Sequence, residues 1–302
     1  GMVMNWWMTG LLGLVVIVVV GGVYLWRSTV PPRPSVGVAT TLISGDEARG
    51  YYVSGAGPTI VLLASAGRAA SDFNELVVTL DESGYRTIAI DPPGIGDSTL
   101  MEKEGMTGHD LARGVNEIVE KEVPAGEKIT ILGHAFGNRI ARTYAADYPD
   151  RVSATILAAA GGKVAIHPKA AEALRHSFFT FMPDWWRRPK VRYAFFSGDN
   201  PIPDYWMGGW STGTAQLQGY TTRTTPSEDF WGGGSAPMLV VQAMDDTIAP
   251  PEHTAVLLKE EFGDRVTVAE IENAGHALFP EQPEKISAAM LAFLAIHHPT
   301  DR

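Results

Sequence analysis

The sequence predicts a doubly wound α/β protein with a mostly parallel sheet, interrupted by an aromatic-rich insertion and preceded by an N-terminal apolar segment. Three observations lead there. From residue 37 onward, short apolar runs rich in β-branched residues alternate with amphipathic stretches of helical length. The runs are continuously apolar rather than alternating, as suits parallel strands covered on both faces. One block, 163–235, breaks the alternation and holds five of the eight tryptophans. At 302 residues, 45% hydrophobic and 19% charged, the chain has the composition of a globular protein with a large core. One α/β domain with an appendage suits that length.

The first element is the appendage. From Trp6 to Trp26 no charge appears for 21 residues, which at helical rise is about 31 Å, the thickness of a bilayer's hydrocarbon core. Trp6 and Trp7 at one end, with Tyr24 and Trp26 at the other, suit the two interfaces. Residues 1–30 are therefore expected to be a single-span membrane anchor. Export after signal cleavage is the alternative, although no Lys or Arg precedes the run and no small-x-small site directly follows it. Arg27 and Arg33 just beyond the span favour a cytoplasmic body by the positive-inside rule. Residues 31–36 form a stiff Pro-rich linker, and Gly1 before Met2 has the look of an expression scar.

The body is expected in two parts, 37–162 and 236–302, around the insertion. "VATTLI" and "ARGYYV" bracket a Gly45-Asp46 turn as an antiparallel hairpin. Strands follow at 59–65, 85–91, 128–133, 152–160, 237–244 and 266–272. Helices fall at 71–83, 108–123, 136–146, 251–262 and 283–296, with Ser71 as an N-cap and Pro283 at a first helical position. The insertion, placed between two strands, is expected to cap the sheet's C-terminal edge, where ligands bind in such folds. Its tryptophans either line a pocket or form the cap's own core.

Composition removes several functions. There are no cysteines, so disulfides, thiolate nucleophiles and Cys-based zinc sites are excluded. Net charge is −10 and no Lys/Arg cluster stands out, which argues against nucleic acid as a partner. His109, His167, His176, His253, His297 and His298 lack ligand spacing, so no metal is expected. Gly232-Gly233-Gly234 follows no strand and is a loop, not a phosphate cradle. No cofactor is called for.

The chemistry centres on "ITILGHAFGNRIA", residues 129–141, a strand, a Gly-flanked turn and a helix start with Ala135 at the turn's centre. Together with "DPPGIGDS" (91–98), "RTYAADYPDRV" (142–152) and "NAGHALFPEQPEKI" (273–286), this stretch resembles the α/β-hydrolase superfamily over about residues 37–298. The family's G-x-S-x-G elbow matches Gly133-His134-Ala135-Phe136-Gly137 except at the nucleophile. The resemblance implies Asp246 as the acid, with Asp245 its confusable neighbour, and His276 as the base, both in loops at the elbow's edge of the sheet. Taken singly, His276 is an ordinary loop histidine and Asp246 a cap before Pro250; order and flanking residues together point to the dyad. The oxyanion donors implied are the backbone N–H groups of Phe136 and Ala66, although Ala64-Ser65 stands where the family has His-Gly. Ser65 could donate to a carbonyl or replace the missing nucleophile, and Arg68 could hold a substrate carboxylate; a loop hydroxyl and a surface arginine are the plainer readings. Trp185, Trp206 and Trp210 are candidate substrate-binding aromatics, and His134 is structural.

Ala135 admits three readings. It replaces a serine, and the enzyme hydrolyses a small, largely apolar ester, lactone or related carbonyl substrate through a Ser/Asp/His triad. Or alanine is native, and the Asp246–His276 dyad works without a covalent step, as in a lyase, a cofactor-free oxygenase or a water-activating hydrolase. Or the chain is a binder that keeps the pocket and has lost turnover. The sequence leaves oligomeric state open.

Overall fold

A computed structural model describes residues 5–301, and of residues 25–29 only the backbone. Gly1 and Met2, and the side chains of Trp26 and Arg27, lie outside the described residues. Eight strands form one sheet: β1 (Val38–Ser44), β2 (Glu47–Gly55), β3 (Thr59–Leu63), β4 (Arg86–Ile90), β5 (Ile129–His134), β6 (Val152–Ala158), β7 (Met238–Ala243) and β8 (Val266–Ile271). Their spatial order is β1-β2-β4-β3-β5-β6-β7-β8. The β1–β2 hairpin and the β2–β4 pair are antiparallel, and every pair from β4 to β8 is parallel.

Ten helices accompany the sheet: α1 (Trp6–Thr29), α2 (Asn74–Glu82), α3 (Gly108–Glu122), α4 (Phe136–Asp147), α5 (Pro168–Ser177), α6 (Asp184–Phe195), α7 (Asp204–Met207), α8 (Thr212–Thr224), α9 (Ala255–Phe262) and α10 (Pro283–His297). Strands β3, β5 and β7 are buried along their whole length, because each face carries its own apolar layer. On one face α3 and α4 contribute Leu111, Ile118 and Tyr144; on the other α2 and α10 contribute Leu80, Met290 and Leu294. This two-sided covering is what continuous apolar runs require.

Local signals place the helix starts. Thr107 and Asp110 form a capping box at α3, and Pro283 opens α10. Ser71 caps no helix: residues 70–73 make a 3-10 turn, the Ser71 hydroxyl is buried, and α2 begins only at Asn74. Helices α5 to α8 make up the insertion, which bonds to loops that follow the C-terminal ends of the strands. Ser211 N–H donates to Gly67 O, Gly67 N–H to Gln218 Oε1, Thr214 Oγ1 to Pro93 O, Thr247 Oγ1 to Tyr193 O and Ala277 N–H to Phe195 O.

No residue of the apolar stretch Trp6–Tyr24 of α1, whose mean hydropathy is 2.2, is fully buried, and only its end, at Tyr24, touches the insertion among the described contacts. Residues 33–36, within the stretch expected as a stiff Pro-rich linker, lie against the body. Arg33 pairs with Glu75 and donates to Ser71 O, its guanidinium lies 3.5 Å over the Tyr205 ring, and Asn74 bonds both Pro34 O and Val36 N–H.

Candidate active site

Strand β5 ends at His134, helix α4 starts at Phe136, and Ala135 makes the turn between them at φ 50°, ψ −116°. A side chain at this φ is strained, so the turn is held from outside. Gly133 and Gly137 supply the room. A Cβ on Gly133 would come within 2.3 Å of Gly137 backbone, and one on Gly137 within 2.2 Å of Leu63 O. The Ala135 N–H donates to Ala158 O at 2.8 Å, tying the turn to β6.

The loop after β7 brings Asp246 to His276, which lies in the loop after β8. His276 Nδ1 stands 2.8 and 3.0 Å from the two carboxylate oxygens. The carboxylate accepts, so Nδ1 carries the hydrogen and Nε2 is left with its lone pair. Asp246 Oδ1 also accepts from the N–H groups of Ile248 and Ala249 at 2.9 and 2.8 Å, which fixes the carboxylate's orientation. Both residues are buried. Asp245 points elsewhere, accepting from Ser197 Oγ.

Two residues steady the histidine loop. His134 donates Nε2–H to His276 O at 2.7 Å; full burial, with His276 as a further cause, pushes its imidazole down to about 3, so it stays neutral. Glu281, not singled out from the sequence, accepts from the N–H groups of Gly275, Leu278 and Ser197, binding the loop to the insertion. Burial pushes its carboxyl above the usual range. Its sequence signal was available: it stands five residues past His276 in the quoted segment. Phe195 was also missed; its ring centroid is 5.5 Å from that of His276. The aromatic run "YAFF" around it has no period that separates a site neighbour from core.

After β3 the N–H of Gly67 is spent on Gln218 and that of Arg68 on Ser65 O, while the Ala66 N–H has no partner among the described residues. Phe136, as first residue of α4, has no intrahelical acceptor for its N–H. Ser65 is 2% exposed, and its hydroxyl makes no hydrogen bond among the described residues.

Four expected substrate contacts are corrected. Arg68 is fully buried: Nε and Nη2 form a two-pronged pair with Asp72, Nη1 donates to Gly208 O and Nη2 to Tyr205 O. With its guanidinium also 4.2 and 4.7 Å from the Trp206 and Trp210 rings, it joins body to insertion and offers no fork to a ligand. Trp206 and Trp210 are 1% exposed and form the insertion's core with Phe195, so they stand behind the dyad and not along an open wall. Trp185 is 76% exposed on the insertion's outer side. Burial is a tertiary property, and Trp supplies no local signal for it.

A cavity of about 60 Å³ beside the elbow is lined by Leu63, Ala64, Ile90, Phe136, Ile140 and Gln218. Among the described residues no group of three His, Cys, Asp or Glu could hold a metal ion.

The family model described as the alpha/beta hydrolase family matches residues 60–289. The chain belongs to this family. It is 27% identical to a candidate non-heme bromoperoxidase, BpoC, of Mycobacterium tuberculosis (strain CDC 1551 / Oshkosh), over 81% of this chain and 97% of that protein. Among solved structures it resembles an esterase, EaEST, from Exiguobacterium antarcticum (22% identity, TM-score 0.69, 85% of this chain and 99% of that one). It also resembles a bacterial membrane phospholipase A (19% identity, TM-score 0.69) over 96% of this chain and 98% of that one. At these identities the structural likenesses speak to fold.

Proposed function

We propose that this site is built for acyl transfer on a small, largely apolar ester, lactone or related carbonyl substrate, with Ala135 standing where a serine nucleophile belongs. The observation that carries this is the strained Ala135 turn beside an oriented Asp246–His276 pair. Positive φ alone does not mark the position, since Ala159 has φ 56°, but φ 50° flanked by two glycines that a Cβ would crowd is the elbow geometry, in which a hydroxyl at 135 would be presented to His276. The esterase and bromoperoxidase relatives are consistent with chemistry at such an elbow.

With serine at position 135, His276 Nε2 accepts the hydroxyl proton as the oxygen bonds to the carbonyl carbon. The Nδ1–H bond to Asp246 supports the resulting imidazolium. Charge on the carbonyl oxygen is met by the N–H groups of Phe136 and Ala66. The imidazolium then protonates the departing alkoxide, and water, deprotonated by the same nitrogen, cleaves the acyl-enzyme. With Ala135 the covalent route is closed, and only water activation by the dyad remains. The insertion, which bonds to the loops around the elbow, we read as a cap over the site. Helix α1 we read as a single-span anchor; the resemblance to the membrane phospholipase A covers more of the chain than the 37–302 body can supply.

The test is single-turnover hydrolysis of a short-chain p-nitrophenyl ester, with fluorophosphonate labelling, by the chain and by its Ala135→Ser variant. The variant should label and turn over, and the parent should do neither. If neither reacts, the acyl-transfer reading fails. Turnover by the parent that vanishes in His276→Ala would instead establish dyad chemistry with native alanine.

A further inference from the structure

The exposed aromatics of the insertion collect where α1 meets it. Phe181 is 66% and Trp185 76% exposed, with Phe179 also exposed. Phe179 stacks on Phe181 at 5.5 Å and on Trp186 at 5.9 Å between ring centroids, so these three rings form one patch, with the exposed Trp185 next to Trp186 at the start of α6. Exposing several large aromatics side by side in water is costly and marks a contact surface. The last residue of the apolar stretch, Tyr24, is in touch with that patch: its hydroxyl donates to Phe178 O at 3.1 Å and its ring meets Phe181 edge-on at 5.8 Å. A tyrosine closing an apolar span belongs at the headgroup level. Whatever depth Tyr24 takes, Phe181 takes nearly the same.

Charge agrees. Residues 163–192 hold seven Lys/Arg against two Asp/Glu, a net of +5 in a chain whose total is −10. Of the seven only Arg187 is buried. Four of the seven, Arg187, Arg188, Lys190 and Arg192, fall within six residues, a short basic run not singled out from the sequence. Lys190 Nζ lies 3.8 Å over the Trp186 ring, beside the patch. Aromatic rings with cations around them are the pattern of a surface that sits in an anionic headgroup layer.

We propose that the Phe179–Lys190 face of the insertion rests in the headgroup layer of the bilayer that α1 crosses, with Phe179, Phe181 and Trp185 inserted and the surrounding cations on anionic lipid. The proposal rests on the anchor reading of α1, and it adds that the cap over the site is itself seated on the membrane surface. The occupant is the lipid surface, because the patch is continuous with the end of the span.

The chain has no cysteine, so single-cysteine labels are unambiguous. The full chain, reconstituted in phosphatidylcholine/phosphatidylglycerol vesicles, would carry an NBD fluorophore at Thr180→Cys inside the patch, Val15→Cys in the span, or Ile43→Cys on the β1–β2 hairpin. Lipids with a doxyl quencher near the headgroup should quench position 180 at least about threefold more than position 43. That difference should shrink when phosphatidylglycerol is omitted and in a Phe181→Ser/Trp185→Ser background, with position 15 still quenched by deep doxyl lipids. Quenching at 15 with none at 180 overturns the proposal and leaves the anchor. Quenching at neither overturns both; quenching at 180 alone keeps the face and removes the anchor. Protection of position 180 that follows protein density and ignores the doxyl lipid means a second copy covers the patch, and the proposal falls.

Discussion

Asp91 shows what a buried charge does to this protein. Its carboxylate lies at the end of β4 with one oxygen accepting from Ala70 N–H at 2.9 Å and the other buried without a partner. Burial first, then the nearby Asp97 and Asp72, push its carboxyl up to about 6 from 3.8. The folded state therefore holds a proton between about pH 4 and pH 6 that the unfolded chain has released, and stability falls as pH rises through that window. Above it the ionised group costs on the order of 2–3 kcal/mol. Asp91→Asn keeps an acceptor for Ala70 and removes the charge. Urea unfolding should show the variant's advantage growing from pH 4 to pH 6 and then levelling; an advantage independent of pH would refute the assignment. The sequence displayed Asp91 within "DPPGIGDS" but nothing of its desolvation, because the groups that bury it come from distant stretches.

At the scale of elements, legibility followed periodicity. The six strands after the hairpin lie within two residues of their expected bounds, since a strand covered on both faces leaves an unbroken apolar run. The elbow and the His276–Asp246 meeting were legible as motif and order. The insertion was not resolved into helices: its segments are Pro- and aromatic-rich, and they pack mainly on one another around Phe195, Trp206 and Trp210, a core that leaves no clear helical period in the sequence. Arg68 is the clearest case, a residue whose loop position suggested ligand binding and whose partners, apart from Asp72 four positions on, come from the insertion. Removing it leaves Asp72, 4% exposed, as an unpaired buried charge. Arg68→Met should cost about 3–5 kcal/mol, seen as a lower melting temperature, and Arg68→Met/Asp72→Leu should recover most of it. A Michaelis constant raised in the Ala135→Ser, Arg68→Met enzyme with melting unchanged would restore the ligand-binding reading.

At the scale of the molecule, the question is where the apolar helix ends and the body begins. Composition put the boundary at 36, after the Pro-rich stretch, because such segments are usually spacers. The contacts put it near 30: Arg33 bridges Glu75, Ser71 O and the Tyr205 ring, Asn74 holds Pro34 and Val36, and Gly209 would meet Pro32 at 2.7 Å if it carried a Cβ. The strap thus ties α2 to the insertion at Tyr205, whereas no residue of the apolar stretch of α1 is fully buried. Two truncations separate these roles. A chain starting at Pro31 should lose flotation with vesicles and melt within a few degrees of the full chain in detergent, having given up, among the described contacts, those of Tyr24. A chain starting at Gly37 loses a half-buried ion pair, a cation–π contact and several hydrogen bonds, and should be less stable by roughly 1–3 kcal/mol. Equal melting of the two would make residues 31–36 a spacer after all, while flotation retained by the Pro31 chain would transfer membrane binding from α1 to the aromatic face of the insertion.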